Sequence, residues 1–168
     1  LLLGGVLMHR DRQILTWLGY GDLPVDAAHL LTSLPIVALL LSLPALLTYG
    51  VHQLTRLVND DFPDYLTTVY VYLPLTLAAN LAHYIPAAMT EAGQILPVIA
   101  RTFGASGAGW PTLTWSPDAA AFLQGVTLLS GLVFSVYPLL RITRRSGLSN
   151  LPPLLLLTGL TLLCFQLM

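Results

Sequence analysis

The sequence predicts an all-α fold: an integral membrane helical bundle with about four transmembrane helices and part of another at the N-terminus. Composition is the first observation behind this prediction. Of 168 residues, 55% are hydrophobic and 9% are charged, whereas roughly a quarter of the residues in a soluble domain are charged. The second observation is four apolar stretches, each long enough or nearly so to cross about 30 Å of hydrocarbon. We therefore treat residues 1–168 as one transmembrane domain in contact with the lipid bilayer.

The first element is the apolar segment LLLGGVLM, which is followed by the polar segment HRDR. A secretory signal peptide has its basic residues before its apolar core, and here the order is reversed. We interpret residues 1–8 as the tail of a membrane helix whose beginning is missing, or as a short apolar anchor.

Four spans follow, and proline marks the start of each. The segments DLPVD, DFPDY and SPDAA place proline in a first helical turn with acidic residues beside it, and SNLPP repeats the proline without the acid. Proline lacks a donor that would be unsatisfied there, and carboxylates favour the positive end of the helix dipole. Prolines inside the spans predict kinks. The predicted spans are residues 25–57, 63–90, 117–142 and 151–168, and residues 103–117 are predicted to be an extramembrane loop.

Charge and cysteine usage exclude several classes of function. The formal net charge is −1 and all seven basic residues are arginine, so there is no electrostatic basis for binding nucleic acid. A single cysteine, Cys164, excludes a disulfide framework and an iron–sulfur cluster held within this chain. The cluster Arg141, Arg144 and Arg145 favours a cytoplasmic position for the loop after the third span. The segment with Arg10 and Arg12 would then lie on the outer side, and these two arginines argue against that orientation.

Ionisable groups in apolar spans are candidates for function, because an unpaired one is expensive in lipid. His29, His83 and Glu91 are such groups, while His52 lies at a helix end with interfacial neighbours. Because the first two spans run in opposite directions, His29 and His83 are predicted to share one depth. Glu91 would lie about 12 Å beyond His83 along a continuous helix.

Two chemistries fit these residues. Histidines facing each other at one depth, here His29 and His83, can ligate haem b axially. A histidine with a carboxylate, here His83 and Glu91 with Asn80 one turn before, can bind quinol and accept its protons. The alternative is a histidine hydrogen-bonded to a backbone carbonyl or a threonine. Tyr65 and Tyr72 are seven residues apart and are predicted to share a face, which suits packing or interface anchoring at least as well as a quinone pocket.

Residues 73–98, LPLTLAANLAHYIPAAMTEAGQILPV, resemble the membrane region of polyferredoxin-type 4Fe–4S proteins, the quinol-dehydrogenase membrane component family. In that family an apolar helix carries a histidine, a glutamate eight residues later and then a small residue; His83, Glu91 and Ala92 match this spacing. Relatives often carry a second histidine where this chain has Asn80, and the family's cysteine clusters are absent here. The resemblance implies that iron–sulfur clusters lie in another segment or in a partner subunit, and that the host is a bacterial inner or thylakoid membrane.

Three hypotheses about function follow. The first is a membrane subunit of an electron-transfer complex that contacts quinone or haem through His83, with Glu91 as the proton-relaying, catalytic carboxylate. The second is a structural or accessory subunit with no redox site of its own. A small transporter is the third and weakest, because the chain shows no convincing internal repeat.

Overall fold

The computed structural model describes residues 2–8, 11–17, 19, 30–106, 116–143 and 150–168. Of these residues 88% are helical and none forms a strand, which confirms the all-α prediction. The helices are α1 (Leu2–Met8), α2 (Asp11–Trp17), α3 (Leu30–Val58), α4 (Tyr65–Val71), α5 (Leu73–Ala92), α6 (Ile95–Thr102), α7 (Pro117–Thr143) and α8 (Leu151–Leu167).

Within the described residues, three segments are long and apolar enough to cross a membrane, one fewer than the sequence predicted. They are Leu34–Val58, Tyr65–Ala92 (α4 and α5 together) and Pro117–Thr143, with 25, 28 and 27 residues. The fourth predicted span, residues 151–168, corresponds to α8, a helix of 17 residues. At 1.5 Å per residue α8 is about 25 Å long, which is shorter than a hydrocarbon core of about 30 Å.

The second span is interrupted at Tyr72, between α4 and α5. Pro74 has no N–H to donate to the carbonyl of Tyr70, so the α-helical bonding cannot continue through it. The N–H of Tyr72 bonds instead to the carbonyl of Val69, three residues back, at 3.0 Å. The sequence predicted a kink at this proline, and the structure places the interruption two residues before it.

The centre of the bundle is the packing of α5 against α7. Gly131 of α7 lies so close to α5 that a Cβ built on it would be 2.3 Å from the Cβ of Ala78 and 3.2 Å from the Cα of Leu75. Small residues allow membrane helices to approach this closely. Ser135, one turn further along α7, accepts a hydrogen bond from the N–H of Leu75 at 3.0 Å. That N–H lies in the first turn of α5, where it has no partner within its own helix.

Two smaller contacts complete the bundle. α1 crosses α3 at Gly4, where an added Cβ would lie 2.6 Å from the carbonyl oxygen of Leu41. α8 packs against α7, α3 and α5, and its Leu157, Leu160 and Cys164 are buried in the same core cluster as Leu3 of α1. The apolar N-terminal segment is therefore helical over Leu2–Met8 and belongs to the core.

Candidate functional site

A stripe of polar side chains runs along one side of α5. It consists of Tyr72, Thr76, Asn80 and His83, and we call it the polar stripe. The spacings of four, four and three residues keep these positions on one side of a helix. Thr76 donates its hydroxyl to the carbonyl of Tyr72 at 2.8 Å, and Asn80 donates its amide to the carbonyl of Thr76 at 2.9 Å. Tyr72 is buried and the other three are half-buried, so the stripe borders the bundle interior.

His83 and Glu91 lie on the same helix at different depths. His83 is half-buried, and its ring packs edge-on against the ring of Tyr84, with centroids 5.0 Å apart. Glu91 is exposed in the last turn of α5. Eight residues separate the two, about 12 Å along the helix axis, as the sequence predicted. A single molecule that contacts both side chains therefore has to extend about 12 Å along the C-terminal half of α5.

His29, the other predicted haem ligand, lies outside the described residues, as do Trp110 and Trp115 of the predicted loop. Among the residues that are described, no three His, Cys, Asp or Glu side chains lie close enough together to hold a metal ion. The pairing of His29 with His83 remains a prediction.

A hydrogen bond between helices lies next to His83. Pro86 has no N–H, so the carbonyl of Ala82 lacks its usual donor four residues later. The side chain of Gln124, on α7, supplies one: its Nε2 donates to the Ala82 oxygen at 2.9 Å. Sequence reasoning did not single out Gln124. The sequence does contain a signal for this residue. Small and polar side chains share one face of α7, because Gln124, Gly131 and Ser135 are spaced by seven and four residues.

A cavity of about 310 Å³ lies where α1, α3, α4, α5 and α8 meet. Its wall includes Leu3 of α1, Pro44 of α3 and Leu160 of α8, all apolar. Its polar wall consists of the hydroxyl-bearing residues Thr48, Tyr65, Tyr72 and Thr76, so Tyr72 and Thr76 belong both to the cavity and to the polar stripe.

The two tyrosines of this wall are weakly bonded. The Tyr65 hydroxyl lies 3.5 Å from the carbonyl of Ala45 and 3.4 Å from the hydroxyl of Thr48, at the outer limit for such bonds. The Tyr72 hydroxyl is buried and has no hydrogen-bond partner among the described residues. Both tyrosines line one cavity, in agreement with the shared face that their seven-residue spacing predicted.

His52 is more buried than its interfacial neighbours suggested. It is 3% exposed, and its ring packs against Tyr65 and Phe62 with centroids 5.4 and 5.8 Å away. Its Nδ1 is buried without a hydrogen-bond partner in the described part of the chain. His52 therefore belongs to an aromatic cluster that supports the cavity wall behind Tyr65.

No family model, curated protein or solved structure matches the chain. The likeness of residues 73–98 to the polyferredoxin membrane region therefore stays a prediction from their motif. The described part of the chain forms a helix bundle with three candidate membrane spans and a largely half-buried polar stripe along α5. A cavity without charged lining residues in that part lies at one end of the stripe.

Proposed function

We propose that this chain is a membrane subunit of an electron-transfer complex and contacts a quinone or a haem through His83 and Glu91 on α5. It would reside in a bacterial inner or thylakoid membrane, with α8 as a fourth crossing, beside other membrane or iron–sulfur subunits. The observation that supports this is the polar stripe. A helix that needed only to pack in lipid would not place Asn80 and His83 half-buried on one side, because polar groups in hydrocarbon are expensive.

Each residue has a distinct role in this proposal. An imidazole can donate or accept a hydrogen bond at either ring nitrogen and changes its charge near neutral pH, so His83 would bind a quinol hydroxyl and accept its proton. Asn80, one turn away, would orient the ligand. Glu91 is exposed at the end of α5, so it can pass the proton to solvent. A bound quinone would supply the two-electron chemistry.

The test is the His83→Ala substitution in the intact complex, with quinol oxidation as the readout. We expect oxidation to be lost, because the proton acceptor is gone, while the complex still assembles on a native gel. Leu81→Ala is the matched control, since Leu81 lies two residues before His83 on α5 and is 62% exposed. Unchanged quinol oxidation in a fully assembled His83→Ala complex would refute the proposal.

A reduced-minus-oxidised visible spectrum distinguishes the two cofactors. Sharp b-type haem bands assigned to this chain, and lost in both His29→Ala and His83→Ala, would favour haem ligation. A featureless spectrum would leave quinone contact.

The second candidate is a structural or accessory subunit. It is favoured by the surface of α3, whose large apolar side chains are widely exposed, for example Leu31 at 90% and Leu57 at 82%. Such a surface fits lipid or the helices of a larger partner. This function predicts that the His83→Ala complex keeps its full quinol oxidation rate, whereas deletion of the chain lowers the yield of assembled complex.

A further inference from the structure

We infer that the cavity between α1, α3, α4, α5 and α8 binds an uncharged, lipid-soluble compound through a carbonyl oxygen. This inference goes beyond the function proposed above, because it requires neither His83 nor electron transfer.

The lining of the cavity sets the charge of its ligand. None of the described residues that line it is charged; they are aliphatic or proline apart from two threonines and two tyrosines. A charged group buried there would be uncompensated, which is costly in an apolar medium. A volume of about 310 Å³ lies at the lower end of the range for small-molecule sites, roughly 300–1,000 Å³. The ligand is therefore a small uncharged molecule, or the uncharged part of a longer one.

The hydroxyl groups of the cavity wall indicate which polar group the ligand carries. The Tyr72 hydroxyl is buried and has no partner among the described residues, which is unfavourable for a polar group. The Tyr65 hydroxyl makes only marginal bonds. Both can donate, and no cation is found among the described lining residues, so a neutral acceptor complements them. A carbonyl oxygen has two lone pairs and can accept from both.

A proline within α3 and the break between α4 and α5 both border the cavity. Pro44 of α3 lines the cavity and has no N–H for the carbonyl of Leu40. On the opposite side, α4 gives way to α5 at Tyr72, just before Pro74.

Two kinds of membrane molecule carry this chemistry: a quinone, with ring carbonyls, and a glycerolipid, with ester carbonyls. The test separates them by placing the full chain in nanodiscs of diether phospholipid, which has no ester carbonyl, and of the matching diester phospholipid. The probe in the diether discs is radiolabelled decylubiquinone, measured by equilibrium binding. Retained phospholipid from both discs is counted by native mass spectrometry.

The variants are Tyr72→Phe and, as the matched control, Tyr70→Phe. Tyr70 lies two residues away, is 69% exposed and does not line the cavity. Tyr72→Phe removes only a hydroxyl that bonds to none of the described residues, so the fold should be as stable as before. Ala45→Leu, at the cavity wall, serves as a second test that fills part of the space without touching a hydroxyl.

If the ligand is a quinone, decylubiquinone binds saturably in diether discs, and Tyr72→Phe weakens it about 5- to 10-fold, as expected for one hydrogen bond. If the ligand is a glycerolipid, diester lipid is retained in preference to diether lipid and Tyr72→Phe removes the preference. Ala45→Leu weakens binding in either case, and Tyr70→Phe changes neither. The inference is overturned if neither ligand binds specifically, or if Tyr72→Phe and Tyr70→Phe have the same effect. Neither result depends on the quinol oxidation rate of the His83→Ala complex.

Discussion

The two sides of α5 are built in opposite ways. Toward α7 the helix presents Leu75 and Ala78, and the contact closes at Gly131. Toward α3 and α8 it presents Tyr72 and Thr76, and a cavity of about 310 Å³ remains. Both sides adjoin a proline: Pro86 frees the carbonyl of Ala82 on the first, and Pro44 of α3 lines the cavity on the second.

The difference shows how a membrane bundle handles a proline. On the α7 side, the side chain of Gln124 replaces the missing donor, and the helices remain in contact. On the α3 side, another proline, Pro44, lies in the opposing helix, and the hydroxyls of the wall are only partly satisfied. Lipid is as apolar as the helix surfaces, so close packing and interhelical hydrogen bonds, rather than hydrophobic burial, hold such helices together. The side of α5 that faces α7 has close packing and interhelical hydrogen bonds, and it is closed. The side that faces α3 lacks them and has room for a ligand.

The largest effect is expected from Gly131→Ala, which tests the close contact directly. Its Cβ would lie 2.3 Å from that of Ala78 and close to the backbone of α5, so the helices have to separate. We expect a loss of about 1–3 kcal/mol in the free energy of unfolding, typical of overpacking. The measurement is steric trapping in bicelles.

Gly159→Ala is the matched control, because nothing lies within 4 Å of its added Cβ. Alanine favours a helix over glycine by up to about 1 kcal/mol, so this variant should be unchanged or more stable. Equal destabilisation by both variants would show that the contact at Gly131 is not special.

A smaller effect is expected from Ser135→Ala. Ser135 is fully buried and accepts the N–H of Leu75 from the first turn of α5, so its removal leaves a buried donor unsatisfied. We expect a loss of roughly 1–2 kcal/mol by the same measurement. Ser130→Ala should have little effect, because that hydroxyl is exposed and bonds only to its own helix, at Val126. A Ser135→Ala protein as stable as Ser130→Ala would contradict this account.

Gln124→Leu tests whether the interhelical bond compensates for Pro86. In the native background it should cost about 0.6–1.7 kcal/mol, the range of hydrogen bonds between membrane helices. Pro86→Ala restores an N–H for the Ala82 carbonyl, so Gln124→Leu should cost less in that background. The double-mutant cycle measures the difference. If the two substitutions are additive, Gln124 does not act through the carbonyl that the proline frees.

The smallest effect is expected at the turn before α4, at Asp64. The hydroxyl of Thr67 donates to the carboxylate of Asp64 and is the main cause that lowers the pKa of Asp64. A depressed pKa adds stability above the unfolded-state pKa, and this contribution is lost as pH falls through the folded-state value. Because Asp64 is exposed, the effect on stability is small.

Thr67→Val should therefore raise the pKa of Asp64 toward its ordinary value of about 3.9. An NMR titration of the labelled carboxyl carbon measures the shift. Thr90→Val is the control, because the Thr90 hydroxyl bonds only to carbonyls of its own helix, Pro86 and Ala87. A shift of the same size in both variants would rule out the hydrogen bond as the cause.

Helix boundaries followed from the sequence where proline marked them. The predicted span 117–142 corresponds to Pro117–Thr143, and the predicted start at residue 151 is the start of α8. These positions were predictable because proline and acidic residues act on the helix end that contains them. The break at Tyr72 was predictable only as a kink, since local sequence does not fix how far a helix bends. The sequence also ranked His52 by its neighbours along the chain, whereas its burial depends on Tyr65 and Phe62 folding back over it.

The sequence alone determined that this is a helical protein suited to lipid, because composition and helical periodicity are properties of each segment taken separately. Only the tertiary structure decided which side chains meet. Leu75 and Ser135 are 60 residues apart in the chain, and the cavity draws on five helices. In an apolar medium nearly every rotation of an apolar helix is equally well solvated. The few small and polar residues that fit one another across helices therefore select the arrangement, and that fit depends on distance in space rather than along the chain.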